Sequence, residues 1–196
     1  VLNLFTQAID STNLRVGYDL FFGIDAAANN YYQKQQYHIR DKLSLLRSEQ
    51  VITFYKELIK QYRVLYLEDP LAEEDWEGWS AMYKELSQDI SIIGDDLIAG
   101  SPLRLQQALS SKAVSGVVVT PTQRGTVLET LAVIEMVHAA GLKLIISSRS
   151  GETNDDFIAD LAVAAGADYA KFKAPVRGEH VAKYNRLSVI SEMLKK

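Results

Sequence analysis

Acidic residues close short apolar runs at three successive places along the chain: Asp25 in FFGID, Glu68 and Asp69 in LYLEDP, and Asp95 and Asp96 in IIGDD. Carboxylates crowded into a low-dielectric setting repel one another, and a shared proton or a hard cation resolves the conflict. Mg2+ suits such a set, because it takes oxygen ligands octahedrally and keeps positions open for substrate oxygens. A single acid at a strand end more often caps a helix or accepts loop amides; acids at three consecutive strand ends point to a magnesium site. The next three runs end differently, in Thr120 of VVVTPTQ, in Ser148, Arg149 and Ser150 of IISSRSGE, and in Lys171 and Lys173 of YAKFKAP. An arginine between two serines suits bidentate capture of a phosphate or carboxylate. The two halves together predict an anionic substrate bridged between metal and arginine.

Such residues need a scaffold that gathers strand ends on one face. The runs at 16–24, 64–67, 91–93, 116–119, 144–147 and 169–172 carry hydrophobes on consecutive positions, as strands buried on both faces of a parallel sheet do. Between them, apolar residues spaced by three and four predict helices over 49–62, 75–86, 102–112, 125–140, 154–165 and 179–195. Alternating polar and apolar residues over 31–46 predict a hairpin-like excursion inside the first unit. After that unit, strand ends recur at roughly 25-residue intervals, the length of one βα unit of a (β/α)8 barrel, whose catalytic groups sit at the C-terminal strand ends. The expected fold is therefore α/β, of the (β/α)8 TIM-barrel type, with six βα units in a single domain over 1–196. Six strands do not close an eight-stranded barrel, so an open edge covered by another chain or by preceding residues is expected. A doubly wound open sheet is the rival, but no G-x-G-x-x-G follows the first strand.

Composition narrows the function. The chain has 196 residues, 47% hydrophobic and 23% charged, which argues against disorder. A net charge of −4 without like-charged blocks leaves no nucleic-acid footprint, and no apolar run approaches a membrane span. With no cysteine, disulfides, thiolate metal sites and thiol nucleophiles are excluded, and a reducing, cytoplasmic compartment is favoured. The opening VLNLFTQAID carries no initiator Met or targeting signal and reads as internal to something longer. His38, His138 and His180 lie at no expected strand end, which argues against a histidine base or a His-ligated zinc. Leu128, Leu131, Val133, Ile134 and Val137 read as a core stripe, and Trp76 and Trp79 as outer covering.

The stretches YLEDPLAEEDWEGW at 66–79, GDDL at 94–97, SRSGETNDDFIADLAV at 148–163 and AKYNRL at 182–187 resemble the C-terminal barrel segment of the enolase family, the phosphopyruvate hydratases. The resemblance runs nearly from end to end. It implies magnesium ligands at Asp25, Glu68 and Asp95. It implies a phosphorylated small carboxylic acid as substrate, held at a family S-H-R-S motif that here reads Ser147-Ser148-Arg149-Ser150, with Ser148 in place of the histidine. Lys171 corresponds to the substrate lysine of K-T-G-A-P, with Phe172 and Lys173 replacing the small residues and narrowing the loop. The family's base lysine, in K-x-N-Q-x-G, corresponds to Thr120 of TPTQRG. A threonine hydroxyl is a weak base, and losing a positioned general base costs about 10² to 10⁴ in rate. The family's proton-donating glutamates precede the matched region, and a dimer is the family's assembly. The resulting expectation is a magnesium-dependent enolase-like barrel, catalytically impaired or silent. The alternative is an active lyase that converts 2-phosphoglycerate to phosphoenolpyruvate when upstream residues complete it, with Lys173 as a possible substitute base. A different reaction of the wider superfamily is disfavoured by SRSGE and AKYN.

Overall fold

The computed structural model describes residues 1–40, 42 and 44–195, and the chain divides into two compact units, Val1–Leu97 with Gln107–Ser115 and Ile98–Gln106 with Gly116–Lys196. The first holds α1 (Leu2–Asp10), β1 (Phe22–Asp25), a 3-10 turn (Ala28–Tyr31), β2 (Tyr32–Gln33), β3 (Gln36–Tyr37), α2 (Ser48–Gln61), β4 (Val64–Glu68), α3 (Trp76–Leu86) and β5 (Ser91–Gly94). β4 runs between β1 and β5, parallel to both. After α4 (Pro102–Ser110), the second unit holds β6 (Gly116–Val119), α5 (Pro121–Arg124), α6 (Val127–Ala139), β7 (Lys143–Ser147), α7 (Phe157–Ala164), β8 (Tyr169–Lys171) and α8 (Gly178–Leu194). There β7 runs between β6 and β8, again parallel. Every residue of β5 and β6 is buried, the condition that consecutive hydrophobes anticipate. Among the described residues no helix is long and apolar enough to cross a membrane.

Several expectations need correction. The strand expected over 16–24 is reduced to Phe22–Asp25, because Gly17 takes φ 87° and the chain turns back through a Val16–Leu20 bridge. A side chain at Gly17 would meet Arg63 Cγ at 3.0 Å, so the turn demands glycine. The hairpin-like excursion expected over 31–46 is present, as a hairpin pairing Tyr32 with Tyr37 and Gln33 with Gln36, with Lys34 and Gln35 both in the left-handed region; Asp41 and Leu43 lie outside the described residues. α1, for which no helix was expected, has no side-chain cap to announce it and buries none of its residues. The helix expected over 125–140 is α6, which begins where the Thr126 hydroxyl accepts the Glu129 amide at 3.2 Å; the short α5 before it was not expected and is set apart from it by Gly125 at φ 90°.

Two core assignments also change. On α6 the buried stripe is Thr130, Val133, Ile134 and Val137, while Leu128 and Leu131 are 78% and 41% exposed. The spacing i, i+3, i+4, i+7 from Thr130 defines one face, and the two leucines fall outside it. Trp79 is not an outer covering: it is fully buried, and its indole N–H donates to the Ala72 carbonyl at 3.0 Å. This ties α3 to the LEDPLA turn that leaves β4. Trp79→Ala is expected to lower stability by about 3–5 kcal/mol, whereas Trp76→Ala, at a half-buried position, costs much less; denaturant unfolding of both variants checks the contrast.

Candidate active site

The end of β4 organises the acidic residues of the first unit. Asp25 is level with Glu68 across β1 and β4, and Glu68 is level with Ile93 across β4 and β5, two residues before Asp95. Glu68 is buried, Asp95 half-buried and Asp25 exposed. Tyr66 precedes Glu68 by two residues and so shares its face of the strand. Its hydroxyl donates to the Glu68 carboxylate. Its ring lies over Gly23, where a Cβ would stand 3.2 Å from Tyr66 Cδ1. Burial holds the phenol well above its ordinary range, and the charges of Glu68, Asp25 and Asp95 reinforce the shift. All three carboxylates therefore act on one half-buried tyrosine, a residue whose place in an apolar strand gives no sign of that role.

Asp69 has a separate task. At φ 41° its backbone turns out of β4, and its buried carboxylate accepts the amides of Asp95 at 3.0 Å and Asp96 at 2.8 Å. Its own amide donates to the Ile93 carbonyl at 3.0 Å, and its carbonyl accepts the Ala28 amide at the same distance. Asp69 thus fixes the loops after β1 and β5 relative to β4. Burial pushes its carboxyl up to about 8, against the opposing pull of the two amides. The oxygen donors here suit a hard divalent cation chemically. As placed, no three His, Cys, Asp or Glu side chains among the described residues enclose one.

In the second unit, Thr120 follows β6 with extended backbone, is 3% exposed and leads into α5. It lines a cavity of about 460 Å³ together with Thr122, Arg149, Glu152 and Asp155. The structure thus brings together Thr120 and Arg149, whereas Ser148, Ser150 and Lys171 do not line the cavity. Ser148 is buried; its amide and hydroxyl donate to the Lys171 carbonyl at 3.1 and 3.4 Å, which joins the ends of β7 and β8. Arg149 and Ser150 are exposed, and the Arg149 amide donates to Glu152 Oε1 at 2.8 Å. Phe172 does not narrow the loop: it is buried, edge-on to Tyr184 with ring centroids 6.2 Å apart. Lys173 is exposed in the left-handed region, its carbonyl accepting the Tyr184 hydroxyl, and it does not line the cavity. His180 is buried at the start of α8 with Nδ1 3.2 Å from the Ala174 carbonyl, while His138 and His38 are exposed.

Parallel βα units whose strand ends carry acids in one unit and an arginine loop in the other define a chain of the α/β barrel class. Over residues 1–196 the sequence matches the family described as Enolase, C-terminal TIM barrel domain. It is 40% identical over 193 residues to the enolase of Acidothermus cellulolyticus, covering 98% of this chain and 44% of that protein. The enolases of Mycobacteroides abscessus and Aeropyrum pernix are 40% and 42% identical over the same length, with 45% and 44% of those proteins covered. The chain belongs to the enolase family, through its C-terminal TIM barrel domain. It spans less than half the length of these curated relatives.

The elevated Asp69 carboxyl carries a signed prediction. Between the ordinary carboxylate range and about 8 the folded state binds the extra proton, so stability falls as pH rises through that window. Unfolding in denaturant at pH 5 and pH 8, with chelator present, reads this slope. Asp69→Asn is expected to flatten it while lowering stability at pH 5 by about 1–3 kcal/mol, since an amide side chain leaves one of the two loop amides without an acceptor.

Proposed function

We propose that the chain is an enolase-type barrel that binds Mg2+ and a phosphorylated small carboxylic acid but is catalytically impaired. Asp25, Glu68 and Asp95 would hold the cation, at the cost of the Tyr66 hydrogen bond to Glu68. Bound there, a divalent cation supplies Lewis-acid polarisation of substrate oxygens. Arg149, on the cavity wall, offers a bidentate donor pair to phosphate; the resemblance adds Ser148, Ser150 and Lys171, which stand off that wall, and Ser148 would have to give up its bond to the Lys171 carbonyl. The family resemblance assigns each of these roles by position. By the same resemblance a second copy of the chain is the expected partner, and β1 and β8 each have one strand neighbour among the described residues. The cysteine-free composition supports a cytoplasmic setting.

The observation that carries impairment is Thr120, buried on the cavity wall that it shares with Arg149. A neutral hydroxyl there can orient a ligand oxygen, but it takes a carbon-bound proton far less readily than an amine does. Lys173 stands off this wall, which weakens its candidacy as a substitute. The second reading, an active lyase converting 2-phosphoglycerate to phosphoenolpyruvate, is favoured by the naming of the relatives as enolases and by the 44–45% of their length that the match spans. On the family resemblance the proton-donating glutamates lie in the remainder.

A coupled spectrophotometric assay with 2-phosphoglycerate and Mg2+ separates the two. The purified chain is expected to give no appreciable phosphoenolpyruvate, and Thr120→Lys alone is expected not to restore it, because proton abstraction and hydroxide departure need two different groups. Turnover typical of enzymes, about 1–10³ per second, in the unaltered chain would overturn impairment and establish the lyase.

A further inference from the structure

Lys183, in the AKYNRL stretch of α8, is the most deeply buried lysine or arginine of the second unit among the described residues, with its side chain 1% exposed. Its ammonium pairs with Glu152 Oε2 at 3.2 Å and donates to the Thr153 carbonyl at 2.5 Å. The other oxygen of Glu152 accepts the Arg149 amide at 2.8 Å. A continuous chain of charge-assisted hydrogen bonds therefore runs from the inside of α8 to the backbone of Arg149, which with Glu152 and Thr153 lines the 460 Å³ cavity. A buried ammonium is costly unless paired and hydrogen-bonded, and the half-buried Glu152 carboxylate left without it loses its cation and keeps only part of its solvent. The loop that follows β7 is thus held by two paired groups, of which the buried Lys183 is the one that cannot stand alone.

We infer that Lys183 is a positioning residue: through Glu152 it holds the Arg149 loop in the conformation that receives the ligand's anionic group. The inference rests on the proposal that Arg149 takes that group, and it adds a determinant of affinity that itself touches no ligand. Nothing else on α8 substitutes for it. His180, one turn earlier, reaches the Ala174 carbonyl instead, and Arg186 is spent on Asp160 at 2.6 Å. The pairing also explains why Glu152, though on the cavity wall, is no free base: both of its oxygens are committed.

Two readouts on the purified protein test this, amide hydrogen exchange at Arg149 and the dissociation constant for 2-phosphoglycerate with Mg2+, each measured for Lys183→Met, Lys183→Arg and the double variant Lys183→Met, Glu152→Gln. The double variant buries no unpaired charge and so keeps the fold testable if Lys183→Met alone unfolds. Expected are faster exchange at Arg149 and affinity weakened about tenfold or more in both Met variants, with exchange in the body of α8 unchanged and partial rescue in Lys183→Arg. Wild-type exchange at Arg149 in the double variant overturns the inference whatever the ligand does. Faster exchange with undiminished affinity overturns it too, since the loop would then be held without consequence for binding. Should the unaltered protein not bind 2-phosphoglycerate, the anion-site proposal fails by itself, and with it the functional half of this inference, while the exchange data still report whether Lys183 holds the loop.

Discussion

A parallel strand that stops leaves the amides of its following loop without ladder partners, and buried amides must find acceptors. This chain meets that constraint with buried or half-buried carboxylates at its strand ends. Asp69 collects the amides of Asp95 and Asp96 in the first unit, and Glu152 collects that of Arg149 in the second. Each acid is anchored in turn, Asp69 by its turned backbone and Glu152 by the Lys183 ammonium. The groups proposed to face a ligand therefore sit on loops whose backbone is fixed by these acids, which gives side chains such as Asp95 and Arg149 defined starting points. The arrangement separates two kinds of acid with similar sequence surroundings. Asp69 lies beside Glu68 in the chain, yet one is spent on structure and the other carries a phenol that a cation could displace.

Much of this was legible in the sequence, because burial on both faces of a strand forces consecutive hydrophobes and six such runs stand out. The roles of Asp69 and Lys183 were not legible. Nothing in E-D-P says which acid turns inward, since that depends on the left-handed backbone at Asp69, and nothing in AKYNRL says that a lysine lies inside, since helix periodicity alone assigns lysines to solvent. Trp79 was misplaced for a related reason: a tryptophan near a helix start packs inward here because a carbonyl, that of Ala72, waits for its N–H. Leu128 and Leu131 were misplaced because α6 is apolar on more than one face, so composition could not choose the buried one. The glycine breaks at Gly17 and Gly125 were present as residues but not as signals, because glycine alone does not announce its φ.

At the second unit's cavity the family pattern and the local chemistry diverge. The fold keeps the wall, the arginine and the clamp beneath it, while the group facing the cavity at the end of β6 is a threonine. Binding and proton transfer make separate demands: the first needs charge and geometry, the second a group of suitable basicity. A chain can lose the second and retain the first.

The central proposal, a cation site at the strand-end carboxylates that persists where catalysis is impaired, is tested most directly by titrating the chain with Mg2+ in a calorimeter, alongside Glu68→Gln and Arg149→Met. The account predicts saturable binding that is lost in Glu68→Gln and kept in Arg149→Met. No binding to the unaltered chain, or equal binding to Glu68→Gln, would contradict it.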